Sequence, residues 1–238
     1  MMPSERIIQK LFEVKPILRR YNRVVECPEL SYTIAGWLGD GAFTIDFRHH
    51  HYGIMLRSVD YEFAAEWGKC LAISLGKRRA YKPFWDKNHQ CWTVVGRSVI
   101  LCRILAEACK DVTSVRHILK KYPIEACRAF FDAEGCIVKE RWRYEIVAAN
   151  YNKALLELVK ELLNDLGIEA TITTQRRLKS TFFNKQTGKW YKYKQDHIYI
   201  LEIRRKENLI KFYDAVGFTI RRKMETLREK ISSNKKDR

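Results

Sequence analysis

The sequence predicts an α+β protein made of two pseudo-symmetric αββαββα repeats, whose twisted antiparallel sheets together form one saddle. Three observations predict it. The order helix-strand-strand-helix-strand-strand-helix runs twice along 238 residues. Each run opens on a helix of small and apolar residues that ends in an acid followed by glycine: Thr33-Ile-Ala-Gly-Trp-Leu-Gly-Asp-Gly41 and Cys127-Arg-Ala-Phe-Phe-Asp-Ala-Glu-Gly135. Aligned on their ends, these segments put Asp40 and Glu134 at equivalent positions, 134 − 40 = 94 residues apart, which matches the repeat.

The elements follow from periodicity and breakers. Residues 4–22 read as an amphipathic helix interrupted near Pro16, a leader packed on the body. The first acid-glycine helix feeds the alternating run Ala42–Arg48; then come a strand near Gly53–Arg57, a helix near Asp60–Leu75, a hairpin across Trp85–His89 and a helix near Arg97–Lys110. The second acid-glycine helix leads to strands near Cys136–Glu140 and Arg143–Ala149. The periodic helix Asn152–Leu166 stops at Gly167. A long hairpin about Asn184–Gly188, a strand His197–Ile203, a helix near Glu207–Val216 and a basic helix from Arg221 finish the chain. The expected units are a leader over 1–27, a first repeat over 28–122 and a second over 123–238. No Gly/Ser-rich linker parts them, so they should share an interface.

Composition narrows the partners. Forty-five Lys plus Arg against 28 Asp plus Glu leave a formal charge of +17, which favours a polyanion, nucleic acid first. No stretch approaches the roughly 18 apolar residues of a membrane span, and the N-terminus lacks the apolar core of a secretory signal, so a cytoplasmic, membrane-free protein is expected. Seven cysteines, without a Cys-x-x-Cys pair, suggest buried thiols rather than zinc or disulfides. His49, His50 and His51 cannot all ligate one ion from a regular strand, because neighbours point to opposite faces; polar DNA contacts suit them better. No Ser/His/Asp triad, P-loop or dinucleotide fingerprint occurs.

The paired motifs resemble the LAGLIDADG family of homing endonucleases over roughly residues 30–225. The second copy is the closer match; the first departs at Ala35, Trp37 and Leu38. The resemblance implies that the two motif helices pack side by side, with Ala35 and Ala129 where small residues let the backbones approach and glycines 41 and 135 turning the chain into the first strands. It implies a single-chain, intron-encoded type of enzyme, a monomer needing no protein partner, that cuts both strands of a long specific duplex DNA site across the minor groove and leaves short 3′ overhangs. The implied cofactor is Mg²⁺, two or three ions, at Asp40 and Glu134 with the preceding Gly39 and Ala133, an oxygen-rich arrangement that suits a hard cation.

The remaining site residues are less sharply marked. Arg57 or Ser58, and Asn150, follow the second strand of each half, where the family often has Gln or a similar group. Arg221 or Lys223, in a segment resembling the family's closing strand-like turn, and Lys120 or Lys121 in the first half, are the candidate cations near the scissile phosphate. Strand alternation puts Thr171, Thr173, Gln175, Arg177 and Lys179 on one face of a long basic hairpin that also carries Lys192 and Lys194, and Thr44, Asp46, Arg48 and His50 on one face in the first half. Lys139, Arg141 and Arg143 are further candidate DNA contacts. The competing expectation is an RNA maturase or a non-cleaving regulator of the same fold.

Overall fold

A computed structural model describes residues 5–14, 23–138, 140, 143–176, 181–184, 188–192 and 196–232. Two four-stranded antiparallel sheets organise the chain. In the first, β1 (Gly41–Asp46), β2 (His51–Ser58), β3 (Phe84–Asp86) and β4 (Cys91–Arg97) lie in the order β1-β2-β4-β3. In the second, β5 (Gly135–Ile137), β6 (Glu145–Asn150), β7 (Ala170–Arg176) and β10 (His197–Arg204) lie in the order β5-β6-β10-β7. The order is the same once β10 is matched to β4. Between β7 and β10 the second repeat inserts a separate ribbon, β8 (Thr181–Asn184) with β9 (Lys189–Lys192).

Nine α-helices are described. The leader is α1 (Glu5–Glu13); α2 (Pro28–Asp40) and α6 (Pro123–Glu134) carry the acid-glycine motifs; α3 (Tyr61–Ser74) and α4 (Val99–Lys110) cover the first sheet, and α7 (Lys153–Asp165) and α8 (Lys206–Ala215) the second. A 3₁₀ turn over Val112–Val115 and the short α5 (Arg116–Lys121) join the halves, and α9 (Arg221–Ser232) ends the described chain. The 3₁₀ turn and α5 are too short to show a helical period, so no sequence pattern marks them.

Local chemistry explains the boundaries. Pro28 and Pro123 each stand in the first turn of a motif helix, where a missing N–H costs nothing. Ser98 and Asn152 accept the backbone N–H of Leu101 (3.2 Å) and Leu155 (3.1 Å), capping α4 and α7. Gly167 takes a φ of +71°, the left-handed turn that stops α7. The glycines after the acids turn the chain into the first strands for a steric reason: Gly41 has an ordinary φ of −85°, but a Cβ there would collide with the Trp37 carbonyl and ring. Gly135 stands in the same relation to Phe131. The expected strand-like turn at 217–223 is instead a turn into a helix: Gly217 adopts a φ of +64°, and Arg221 opens α9.

One apolar core runs through both halves. Ile54 and Leu56 of β2, Phe63 and Trp67 of α3, and Ile34 of α2 are continuous with Phe130 and Phe131 of α6, Leu156 and Leu162 of α7, and Leu201 of β10. Alternation sorts the sheet faces: Ile54, Leu56, Ile146, Ala148, Leu201 and Ile203 point to the helices, leaving the opposite face of each sheet open.

Asp132, in the sixth motif position where the first repeat has Leu38, ties the halves together. Its carboxylate accepts the Tyr32 hydroxyl from α2 (2.9 Å) and the backbone N–H groups of Thr219 (2.9 Å) and Ile220 (3.4 Å), fixing the turn that launches α9. Arg128 Nε donates to the Val216 carbonyl in the same turn (2.7 Å). Burial pushes the Asp132 carboxyl up to about 6, while Thr219 and Tyr32 stabilise its charged form. Asp132→Ala strands buried donors and should lower stability by about 2–4 kcal/mol in urea unfolding. A change below about 0.5 kcal/mol would show the turn to be held by other contacts.

Candidate active site

The two motif helices end together. A Cβ placed on Gly39 would lie 2.6 Å from Ala133 Cβ and 3.8 Å from Glu134 Oε1, so the helices touch at their last turn and put Glu134 beside the residue preceding Asp40. Ala35 and Ala129 are both buried along the same pair. Asp40 and Glu134 therefore leave the helix ends at one place, between the two sheets.

Each acid has different surroundings. Asn150, the last residue of β6, donates from Nδ2 to Glu134 Oε1 (2.8 Å), and its own Oδ1 accepts Asn152 N–H (2.8 Å). Strand pairing identifies the first-half counterpart. Leu56 pairs with Gly41 as Ala148 pairs with Gly135, so Ser58 matches Asn150. Ser58 Oγ accepts Asp60 N–H (3.1 Å) just as Asn150 accepts from Asn152, but its side chain is too short to serve the acid as well. No hydrogen-bond donor among the described side chains reaches the Asp40 carboxylate. Desolvation, then the charge of Glu134, raises Asp40 to about 7, with Lys223 opposing. Because Asp40 remains solvent-exposed, water moderates the repulsion. Burial also raises Glu134, while Asn150 and Lys223 favour its charged form.

Cations surround the cleft. Arg57, Ser58, Asp60, Arg222 and Lys223 line it with Asp40. Lys223 is buried and donates to the carbonyls of Phe131 (3.1 Å) and Asp132 (2.6 Å), a positive charge on the negative end of α6 one turn from Glu134. Its burial lowers its pKa. Arg222 makes a two-pronged pair with Asp60 (2.8 and 2.7 Å), joining α9 to the start of α3. Arg57 lies 4.0 Å from Asp86, and its Nε is buried with no hydrogen-bond partner among the described residues. The rest of the guanidinium, in a side chain 37% exposed, shares the cleft with Asp40 and suits a phosphate oxygen there.

The donor set suits a hard divalent cation. Two solvent-reachable carboxylates whose charged forms repel one another gain from a metal between them, with water and phosphate oxygens left to complete its shell. No group of three or more His, Cys, Asp or Glu side chains able to hold a metal occurs among the described residues, so an all-protein zinc-type cage is not what this site offers.

Other expected positions separate. Thr44 and Asp46 share the open face of β1 with Arg57 of β2, and Thr173 and Gln175 share the open face of β7. Asp46 is already engaged: it accepts Arg48 N–H (2.9 Å) and His49 N–H (3.3 Å) and pairs with the His49 ring (2.6 Å), closing a hairpin turn. Arg48 and His50 therefore sit in that turn, His50 at φ +50°, rather than along the strand. Asp86 makes the same bonds to Asn88, His89 and the His89 ring in the β3–β4 turn, a duplicated Asp-x-x-His device the sequence displays. Asn150 orients Glu134 instead of facing the open side of the sheet.

Lys120 pairs with Glu161 (2.7 Å) and Asp165 (3.3 Å) of α7, and Lys121 with Glu26 (2.8 Å), just before the start of α6. A 12-residue helix, about 18 Å, lies between them and Glu134, so neither serves the cleft. Arg221 is exposed and does not line the cleft; its neighbours Arg222 and Lys223 do. Arg143 pairs with Glu145 (2.6 Å), which with Glu202 and Arg204 makes an ion-pair cluster on the open face of the second sheet. Lys192 is exposed on β9. Lys139, Arg141, Arg177, Lys179 and Lys194 lie outside the described residues. Sequence reasoning missed Asp60, Asp132 and Arg222, whose partners are 87 to 162 residues away.

The model of the LAGLIDADG-like domain matches residues 122–217, the second motif helix and the sheet that follows it. The chain belongs to the LAGLIDADG family. An uncharacterized protein of Methanocaldococcus jannaschii is 32% identical over 207 residues, 87% of this chain and 72% of that one. Crystal structures of I-DmoI with DNA and Mn, and with DNA and Ca, superpose with TM-scores of 0.53 and 0.55 at 20% and 19% identity. They cover 87% and 85% of this chain and 98% of theirs, a likeness of fold. No described helix of this LAGLIDADG protein is long and apolar enough to cross a membrane.

The raised Asp40 pKa has a definite sign. The folded state holds a proton that the unfolded chain releases near pH 4, so charging Asp40 costs stability as pH rises from about 4 to about 7. In metal-free buffer Asp40→Asn should therefore raise the thermal midpoint at pH 8, with the gain shrinking as pH falls to 5. A midpoint that drops equally at both pH values would show that Asp40 stabilises the fold instead.

Proposed function

We propose that the protein is a divalent-metal-dependent, site-specific DNA endonuclease of the homing type that makes double-strand cuts. The supporting observation is the delivery of Asp40 and Glu134 to one point by two abutting helices, between two open sheet faces, in a chain of net charge +17. Crystal structures of I-DmoI contain DNA with Mn or Ca, and a variant of that enzyme was crystallised with its target DNA in the presence of Mg. Mg²⁺ is the ion proposed for this chain. The protein is proposed to act as a monomer inside the cell on a long duplex site, since both acids come from one chain.

Asp40 and Glu134 hold the cations, with Gly39 and Ala133 beside them permitting the close approach. Bound there, a divalent ion supplies Lewis acidity to the phosphate and a water of lowered pKa. Asn150 keeps Glu134 in one orientation. Lys223 and Arg57 hold positive charge where the phosphate gains negative charge, and the exposed part of the Arg57 guanidinium offers it hydrogen bonds. A water oxygen forms the new bond to phosphorus, the bond to the 3′ oxygen breaks, and that oxygen takes up a proton. The open faces carrying Thr44, Thr173 and Gln175 meet the duplex, where hydroxyl and amide groups read base edges.

Digestion of a pooled library of long duplexes, with and without Mg²⁺, tests this reading. Wild type should yield discrete double-strand cuts; Asp40→Asn and Glu134→Gln should each lower the rate at least roughly 100-fold, several kcal/mol of transition-state stabilisation, with DNA binding intact. Selective binding with no cut under any divalent ion would establish the alternative, a non-cleaving regulator or RNA maturase.

A further inference from the structure

The outer edge of the first sheet has a surface the carboxylate cleft does not use. β3 is an edge strand, and Trp85 on it is 42% exposed; Phe84, which pairs with Thr93, lies on the opposite face. Tyr61, at the start of α3, is 49% exposed. Trp92 packs edge-to-face on Trp85 (5.3 Å between centroids) and on Tyr61 (4.9 Å), so the three rings form one cluster. Trp85 pairs in register with Trp92, and Trp92 with Ser58, which puts these rings on the helix side of the sheet, opposite Arg57 and Thr44.

A cationic segment leads into the rings. Arg78, Arg79 and Lys82 are exposed, and Lys87 follows in the turn. The segment is held to α3: Tyr81 N–H donates to the Gly68 carbonyl (3.2 Å), and Gly68 must lack a side chain because a Cβ would strike the Tyr81 carbonyl. Cations, then aromatic rings, therefore follow one another along α3 towards Val59 and Asp60 at the rim of the cleft. Asp86, the acid of this stretch, is occupied by its own turn.

Cations spaced among exposed rings match nucleic acid whose bases are unpaired, because base faces are hidden inside a duplex and open in a single strand. We propose that this edge, centred on Trp85 and Tyr61 and flanked by Arg78, Arg79 and Lys82, binds single-stranded nucleic acid, with bases stacked on the rings and phosphates on the cations. This goes beyond the nuclease reading and requires neither Asp40, Glu134 nor a divalent ion.

Anisotropy of labelled oligouridylate, oligothymidylate and a random duplex, each of about 12 units, in EDTA and about 0.1 M salt, tests the proposal. Wild type should bind a single strand, and the double variant Trp85→Ala/Tyr61→Ala should bind it roughly 10- to 100-fold more weakly while duplex affinity stays within about twofold. Trp85→Phe should keep most of the affinity, and Arg78→Glu/Arg79→Glu should remove the salt-dependent part. The better of the two homopolymers tells whether RNA or DNA is the occupant. Circular-dichroism melting checks each variant; should the aromatic double variant not fold, the surface charge reversal carries the test. Single-strand affinity unmoved by the folded variants, or lost in equal measure with duplex affinity, overturns the proposal.

Discussion

The contact between the last turns of α2 and α6 is the constraint on which the rest of the structure depends. Gly39 against Ala133 leaves no room for a larger residue on the α2 side, so the helices meet where their acids emerge. The tight turns at Gly41 and Gly135 then send each chain at once into the first strand of its sheet. Helix contact, acid placement and the start of both sheets are thus one geometric solution. A substitution at Gly39 would be felt in all three. The arrangement has an electrostatic cost: burial pushes both carboxyls towards their neutral forms, and the charge of Glu134 adds to the effect on Asp40.

The pseudo-symmetry is accurate in the backbone and broken in the side chains. Ser58 and Asn150 occupy matching places and accept the same bond from the backbone N–H of the residue before the next helix, yet only Asn150 is long enough to hold its acid too. Asp132 has Leu38 as its counterpart, and spends its hydrogen-bonding capacity on Tyr32 and on the turn before α9. Lys223, delivered by that turn, caps α6 with positive charge. The second repeat thereby gains a buried polar network at a position that Leu38 leaves apolar in the first, and through Arg222 and Asp60 it reaches back to brace the first. Breaking such a network strands polar groups away from water, which makes it a clamp between the halves as well as a support for the site.

The charge excess is unevenly spent. Many cations are neutralised within the fold: Lys120 and Arg116 on Glu161, Lys121 on Glu26, and Arg143 and Arg204 on Glu145. The acids Glu145 and Glu202 even occupy the open face of the second sheet. A run of lysines or arginines in sequence is therefore a poor guide to a nucleic-acid contact; what distinguishes Arg57 is its place in the cleft with Asp40.

Two repeats, the pairing of Asp40 with Glu134, the glycines that follow them and the alternation of Thr173 and Gln175 were legible in the sequence, because each is a local pattern of period 2, of 3.6 or of the repeat itself. Tertiary structure alone decided that Lys223 rather than Lys120 stands near Glu134, that Asn150 serves the acid, that Asp46 closes a turn, and that Asp60, Asp132 and Arg222 tie the halves together. Those relations join residues far apart in the chain, and their spacing follows from how helices pack and strands register, which no local period records.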